Sequence, residues 1–306
     1  MLDAKGDLAA VEVAFFGPAF LIGLFVVFRH GFSKQVGWLY VCVLSILRIV
    51  GASATLDMEV TNKYSDSLLT TAAICSAVGT APLLLAMMGF LERINKGMEH
   101  KGISLMIFRP LHLISLAALI IAIIGGTDKM SSSAGNQKTG KDLGEAGAML
   151  FFGILLALTI ITLFNVTNTR YVLSHERNLL RACVVALPFL AVRIAYTIAS
   201  AFSKKGGLFY YADVNIYVQA FMQFAMEAIV VCIFITAGVL TPKMEKQKII
   251  EADVEGQKVE MISGPTQRSG RTENQTRQDR PRFQAPQNIG DYRPSRLIKN
   301  AMSSRK

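Results

Sequence analysis

IYVQAFMQFAMEAIVVCIFITAGVL, residues Ile216–Leu240, is apolar almost throughout and carries a single formal charge, Glu227. A bilayer core needs about 20 such residues in one helix. A single charge in a run this long and apolar marks the segment as a membrane span. Its polar residues are also ordered. Asn215, Gln219, Gln223 and Glu227 recur every fourth position, a spacing that keeps them near one helix face. Against lipid that face would be ruinous, so it is expected to point into a bundle interior or a wet cavity.

Working outward, six more runs satisfy the same criterion: Leu8–Phe28, Gly37–Leu56, Leu68–Leu91, Ile103–Ile124, Glu145–Val166 and Leu179–Phe202. The longest connection is expected from Gly125 to Gly144. Pro18, Gly51, Pro82 and Pro188 fall inside spans, where neighbouring helices re-satisfy the backbone. The expected fold is all-α, a seven-helix transmembrane bundle over residues 1–240 followed by a disordered C-terminal tail over 241–306.

Composition supports this division. The chain has 306 residues, 52% hydrophobic and only 18% charged, with mean hydropathy +0.39. The tail holds 14 of the 32 Lys+Arg and 8 of the 22 Asp+Glu. Too little charge remains on the first 240 residues to cover a soluble surface, which excludes a cytosolic enzyme and a secreted disulfide scaffold. Cys42, Cys75, Cys183 and Cys232 all sit in apolar runs, so no disulfide framework follows. The net charge of +10 is mostly a property of the tail, and no basic face accompanies a folded reader, so nucleic acid is not an expected partner. Membrane lipid is. The tail is polar and nearly free of aromatics, too poor in apolar area to fold by itself.

Orientation is weakly encoded. Loops on the two sides carry equal numbers of Lys and Arg. Lys243, Lys246, Lys248 and Lys258 follow the last span closely, and by the positive-inside rule they place the C-terminus in the cytosol and the N-terminus outside.

Ionisable residues within spans are costly and raise a functional hypothesis. Glu12, Arg48, Arg193 and Glu227 stand clear of the ends. At about 1.5 Å per residue, Glu12 lies about 6 Å below the outer boundary, Arg48 and Arg193 about 12 Å, and Glu227 about 17 Å. All four fall in the outer half, which predicts pairing of Glu227 with Arg193 and of Glu12 with Arg48. Tyr196 and Ser200 share the Arg193 face; Ser45 and Gly51 share that of Arg48. Arg109 and His112 complete the candidate set. With Arg109 counted, three arginines face two deep glutamates, and a surplus guanidinium suits a carboxylate or phosphate. A small anionic or amphipathic ligand is therefore the expected partner. No HxxxH or HExxH spacing exists, and no nucleophile–base motif, so neither metal, cofactor nor catalytic residue is expected.

The chain resembles an uncharacterised family of fungal seven-span membrane proteins, known only as a domain of unknown function. The resemblance rests on Glu12 and Pro18, on His30-Gly31-Phe32, Gly37-Trp38, Arg48 and Gly51, on Arg109, His112 and Gly125-Gly126, and on Arg193, Tyr196 and Glu227. It covers residues 8 to 240 and implies an integral membrane protein without supplying an activity. The layout is also superficially similar to G-protein-coupled receptors, with Glu92-Arg93 ending the third span and Pro188 in the sixth. The usual loop cysteines and the seventh-span Asn-Pro pair are missing. The leading expectation is a receptor-like or sensor-like protein with an interior polar pocket; the alternative is a transporter or lipid-handling protein. No cytosolic partner is readable.

Overall fold

A computed structural model describes residues 3–30, 36–61, 65–98, 102–129, 133–173, 176–203 and 215–241. The basic tail, with the lysines from which the sequence orientation is read, lies outside the described residues. Within them the protein is all-α: α1 (Ala4–His30), α2 (Val36–Thr61), α3 (Asp66–Val78), α4 (Thr80–Gly97), α5 (Leu105–Lys129), α6 (Ala134–Thr167), α7 (Arg177–Phe202), α8 (Ile216–Gln219) and α9 (Met226–Leu240). A short 3₁₀ turn, Thr169–Tyr171, precedes α7, and a π-helical turn, Ala220–Ala225, joins α8 to α9. Counting α3–α4 as one span and α8–α9 as another, seven helical spans are long and apolar enough to cross a bilayer. The protein is a multi-pass integral membrane protein.

The third span is the axle. Its most apolar window is 78% buried, against 17% for α5. The run Leu83-Leu84-Leu85-Ala86-Met87-Met88 offers no polar face, and a helix apolar all round is stable only where it is surrounded. Accordingly α4 packs on α2, α5, α6 and α7. Trp38 of α2 is fully buried beside it. The Trp38 ring lies 4.9 Å from that of Phe90, which in turn lies 4.8 Å from Phe234 of α9. Trp38 Nε1 donates to the Phe234 carbonyl at 3.1 Å, so the indole is satisfied as well as packed. Outward-facing apolar side chains form the lipid belt, among them Leu21 and Phe25 on α1, Leu113 on α5 and Ile160 on α6.

One expectation fails here. The Gly125–Gly144 stretch is not a long loop, since α5 continues to Lys129 and α6 starts at Ala134. The cause is a small-residue contact between the two helices. A Cβ on Gly140 would come 2.5 Å from the Lys129 backbone nitrogen and 2.8 Å from the Asp128 carbonyl carbon; one on Gly144 would come 2.6 Å from Lys129 Nζ. Gly140-xxx-Gly144 lets two backbones meet directly, and that contact holds polar helix ends that hydropathy assigns to a loop. Replacing Gly140 by Val is expected to lower stability by about 1–3 kcal/mol, because backbone cannot move aside as a rotamer can. Thermal unfolding in detergent checks this; a melting temperature equal to that of the native chain refutes the contact.

Candidate functional site

The interior charges converge on one carboxylate. Glu227, on the first turn of α9, is fully buried. Arg48 of α2 grips it with two bonds, Nε to Oε2 at 2.6 Å and Nη2 to Oε1 at 2.5 Å. Arg193 of α7 adds Nε to Oε1 at 2.5 Å and turns Nη1 to Thr197 Oγ1 at 2.6 Å. The Arg193 guanidinium also stands 5.7 Å over the Tyr196 ring. Gln223 closes the network from the side. With its oxygen toward the cation, the Gln223 amide accepts from Arg48 Nη1 at 2.7 Å, Arg48 Nη2 at 2.9 Å and Ser76 Oγ at 3.0 Å. The opposite orientation would set NH₂ against guanidinium.

Local backbone irregularities make this possible. A four-residue step overshoots one α-turn by about 40°, so Gln219, Gln223 and Glu227 would drift off one face of a regular helix. The wider π turn between Gln219 and Met226 takes up the excess. Across the cluster, α3 and α4 meet at Gly79, where a Cβ would lie 3.1 Å from Arg48 Nη2. The missing side chain gives the guanidinium its seat.

Above the cluster lies a cavity of about 450 Å³. Its lining comes from one end of every span that contributes. Asp3 and α1 as far as Glu12 contribute, α2 from Leu47 to Glu59, α3 from Leu69 to Ala77, α5 from Ala122 to Lys129, α6 from Gly144 to Phe151, α7 from Arg193 to Ala201, and the seventh span Gln219 and Gln223. Along α2 that is roughly 18 Å of depth. α4 contributes nothing; its buried leucines and methionines, with Trp38, Phe90 and Phe234, lie beyond the charge cluster. Glu12 is 7% exposed and borders the cavity. It has no hydrogen-bond or ion-pair partner among the described residues, though Arg48, Arg193 and Glu227 are within its electrostatic reach.

The structure thus brings Glu12, Arg48, Arg193, Tyr196, Gln219, Gln223 and Glu227 together. The expected Glu12–Arg48 pair is not formed, because Arg48 reaches inward to Glu227 instead of upward. Ser45 bonds its own helix at the Val41 carbonyl, and Asn215 is an exposed cap accepting from the Tyr217 nitrogen. Gly51 meets Cys75 of α3, whose Cβ lies 2.8 Å from where a glycine Cβ would stand. Arg109 and His112 do not belong to the interior site. They border a separate shallow depression with Glu92 and Lys96 at the other end of the bundle. Arg109 is exposed there, and His112 Nδ1 pairs with the Phe108 carbonyl at 2.9 Å. The count of three arginines to two glutamates therefore falls to two and two.

A second buried ion pair has no forerunner in the sequence reading. Arg93 of α4 bonds Glu176 at the start of α7, Nε to Oε1 at 2.8 Å, and both are nearly fully buried. Arg93 also stands 5.3 Å over Trp38. Each charge lies at a span end, where a one-dimensional reading takes it for surface.

Residues 2–244 match one family profile, described as a domain of unknown function, DUF7702. No curated protein and no solved structure matches the chain.

Proposed function

The chain belongs to that family of unknown function, and from this premise we propose that it is a receptor-like or sensor-like membrane protein whose interior cavity accepts a small amphipathic ligand. The carrying observation is the one-sidedness of the cavity. Its lining stops at the Arg48–Glu227–Arg193 floor, and the fully buried side chains of α4, α2 and α9 lie beneath. A pocket open to one side binds without conducting. Its volume is within the usual range for small-molecule sites, and its wall mixes apolar side chains with many polar and charged ones, which suits an amphipathic ligand. Native mass spectrometry of the purified protein, together with ligand-induced shifts in melting temperature, tests the reading. Ala73→Trp fills the cavity and is expected to abolish both signals. Shifts that survive Ala73→Trp, or none from any compound, sink the proposal.

The lysines after the last span favour a cavity open to the outside, with the C-terminus in the cytosol. Ser133 and Ser104 are exposed at opposite ends of the bundle. In intact cells, an impermeant thiol reagent is expected to label Ser133→Cys and spare Ser104→Cys. The reverse pattern inverts the topology.

A transporter is the second reading. It is favoured by the π turn of the seventh span, which lies beside the charge cluster. Interrupted helices at membrane depth recur where substrates cross. Flux of a bound compound into proteoliposomes would select it over the receptor.

A further inference from the structure

Two features of the cavity floor have matching chemistry. Arg48 and Arg193 share one carboxylate, so the three-residue cluster keeps one positive charge in formal excess. Glu12, more than nine-tenths buried and facing the cavity, has no bonded partner among the described residues and contributes a formal negative charge when ionised. With Glu12 ionised, the floor is neutral in formal charge but divided, negative on the α1 side and positive on the α2–α7 side. Resting on the receptor reading, we infer that the cavity binds a zwitterion, its ammonium seated on Glu12 and its anionic group on the arginine side.

A free cation would suit Glu12 but leave three positive groups against two negative ones at membrane depth. A free anion would suit the arginines and leave the opposite imbalance. Uncompensated charge in a low-dielectric interior is costly. A zwitterion satisfies both sides and adds no net charge. Most arginine donors are already committed, to Glu227, Gln223 and Thr197. The anionic half therefore completes an existing network, whereas the ammonium supplies Glu12 with its first partner. Leu8, Ala9, Leu69, Ala72, Ala73 and Phe151 form an apolar part of the wall, so the ligand also carries an apolar body; Asp3, Lys5, Glu59 and Lys129 line it too, two acids and two bases that add no net charge. Two sources offer this chemistry: a free apolar α-amino acid, or a phosphatidylethanolamine headgroup entering from the leaflet at the open end.

A deletion series tests the inference on the full-length protein in detergent. The probes are L-leucine, isopentylamine (leucine without its carboxylate), isocaproate (leucine without its amine) and isopentanol. L-phenylalanine with phenethylamine and hydrocinnamate forms a parallel set. A separate arm compares nanodiscs of phosphatidylethanolamine with nanodiscs of phosphatidylglycerol. The expected result is a rise in melting temperature with an amino acid that its amine and acid fragments do not reproduce, or with phosphatidylethanolamine over phosphatidylglycerol. Either result names the source. Glu12→Gln is expected to weaken that binding about tenfold or more, since a charge-assisted bond becomes a neutral one. Equal stabilisation by amine or acid alone overturns the zwitterion while leaving the cavity a binding site. So does unchanged affinity in Glu12→Gln, provided Ala73→Trp abolishes binding. No shift in any arm overturns this inference; the receptor reading falls with it only if native mass spectrometry also finds no bound molecule.

Discussion

Glu227→Gln is expected to be the most damaging single polar substitution in the protein, lowering stability by roughly 3–5 kcal/mol. The carboxylate is fully buried and is the common acceptor for Arg48 and Arg193. Its loss leaves two guanidinium groups facing each other in a low-dielectric interior, which is worse than leaving one charge alone. The sharing also orders the remaining variants. Arg193→Gln removes a single bond to Glu227 and leaves the two-bond Arg48 grip intact, so its cost is the smaller. Arg48→Gln removes both of that grip's bonds and costs more. Adding Arg193→Gln to Glu227→Gln restores part of the loss, because one of the two stranded cations is gone. Thermal unfolding of the four proteins measures this ranking. If Glu227→Gln is no worse than Ser45→Ala, which loses only an intrahelical bond, the cluster does not hold the bundle together.

The second large effect is expected at the opposite end. Arg93→Gln strands the Glu176 carboxylate, which is 3% exposed, and should lower stability by roughly 3 kcal/mol. Trp38 gives an independent readout. It is the chain's single tryptophan, and the Arg93 cation lies over its ring at 5.3 Å. Removing that cation should shift the intrinsic fluorescence of the folded protein, whereas Glu176→Gln, which leaves Arg93 in place, should shift it less. The double variant Arg93→Gln/Glu176→Gln should recover much of the stability without restoring the native emission. Unchanged emission in Arg93→Gln would place the guanidinium away from Trp38.

Seven spans were legible because membrane insertion is a one-dimensional filter: a helix of sufficient apolar length satisfies its own backbone wherever its neighbours lie. The depth of Arg193 and Glu227 was legible for the same reason, since rise per residue converts position into distance. Their azimuth was not. Glu12 and Arg48 are close enough in depth to pair, yet Arg48 turns inward to a carboxylate already shared with Arg193. The π turn that brings Gln223 alongside has no marker in residue type. Gly140-xxx-Gly144 was visible as a spacing, but its polar surroundings resembled a loop until α5 supplied the facing backbone.

Length, hydropathy and the few interior charges therefore determined the fold class, the spans and which residues are too costly to face lipid, because those are properties of each helix against its solvent. Which charge meets which, that Arg109 and His112 stand apart, and that Glu12 is left facing an open cavity were decided only by tertiary structure. Those outcomes depend on how seven helices rotate about their axes, and that rotation is set by packing between segments distant in sequence: glycine against backbone at Gly140, guanidinium against Gly79, and indole against Phe90.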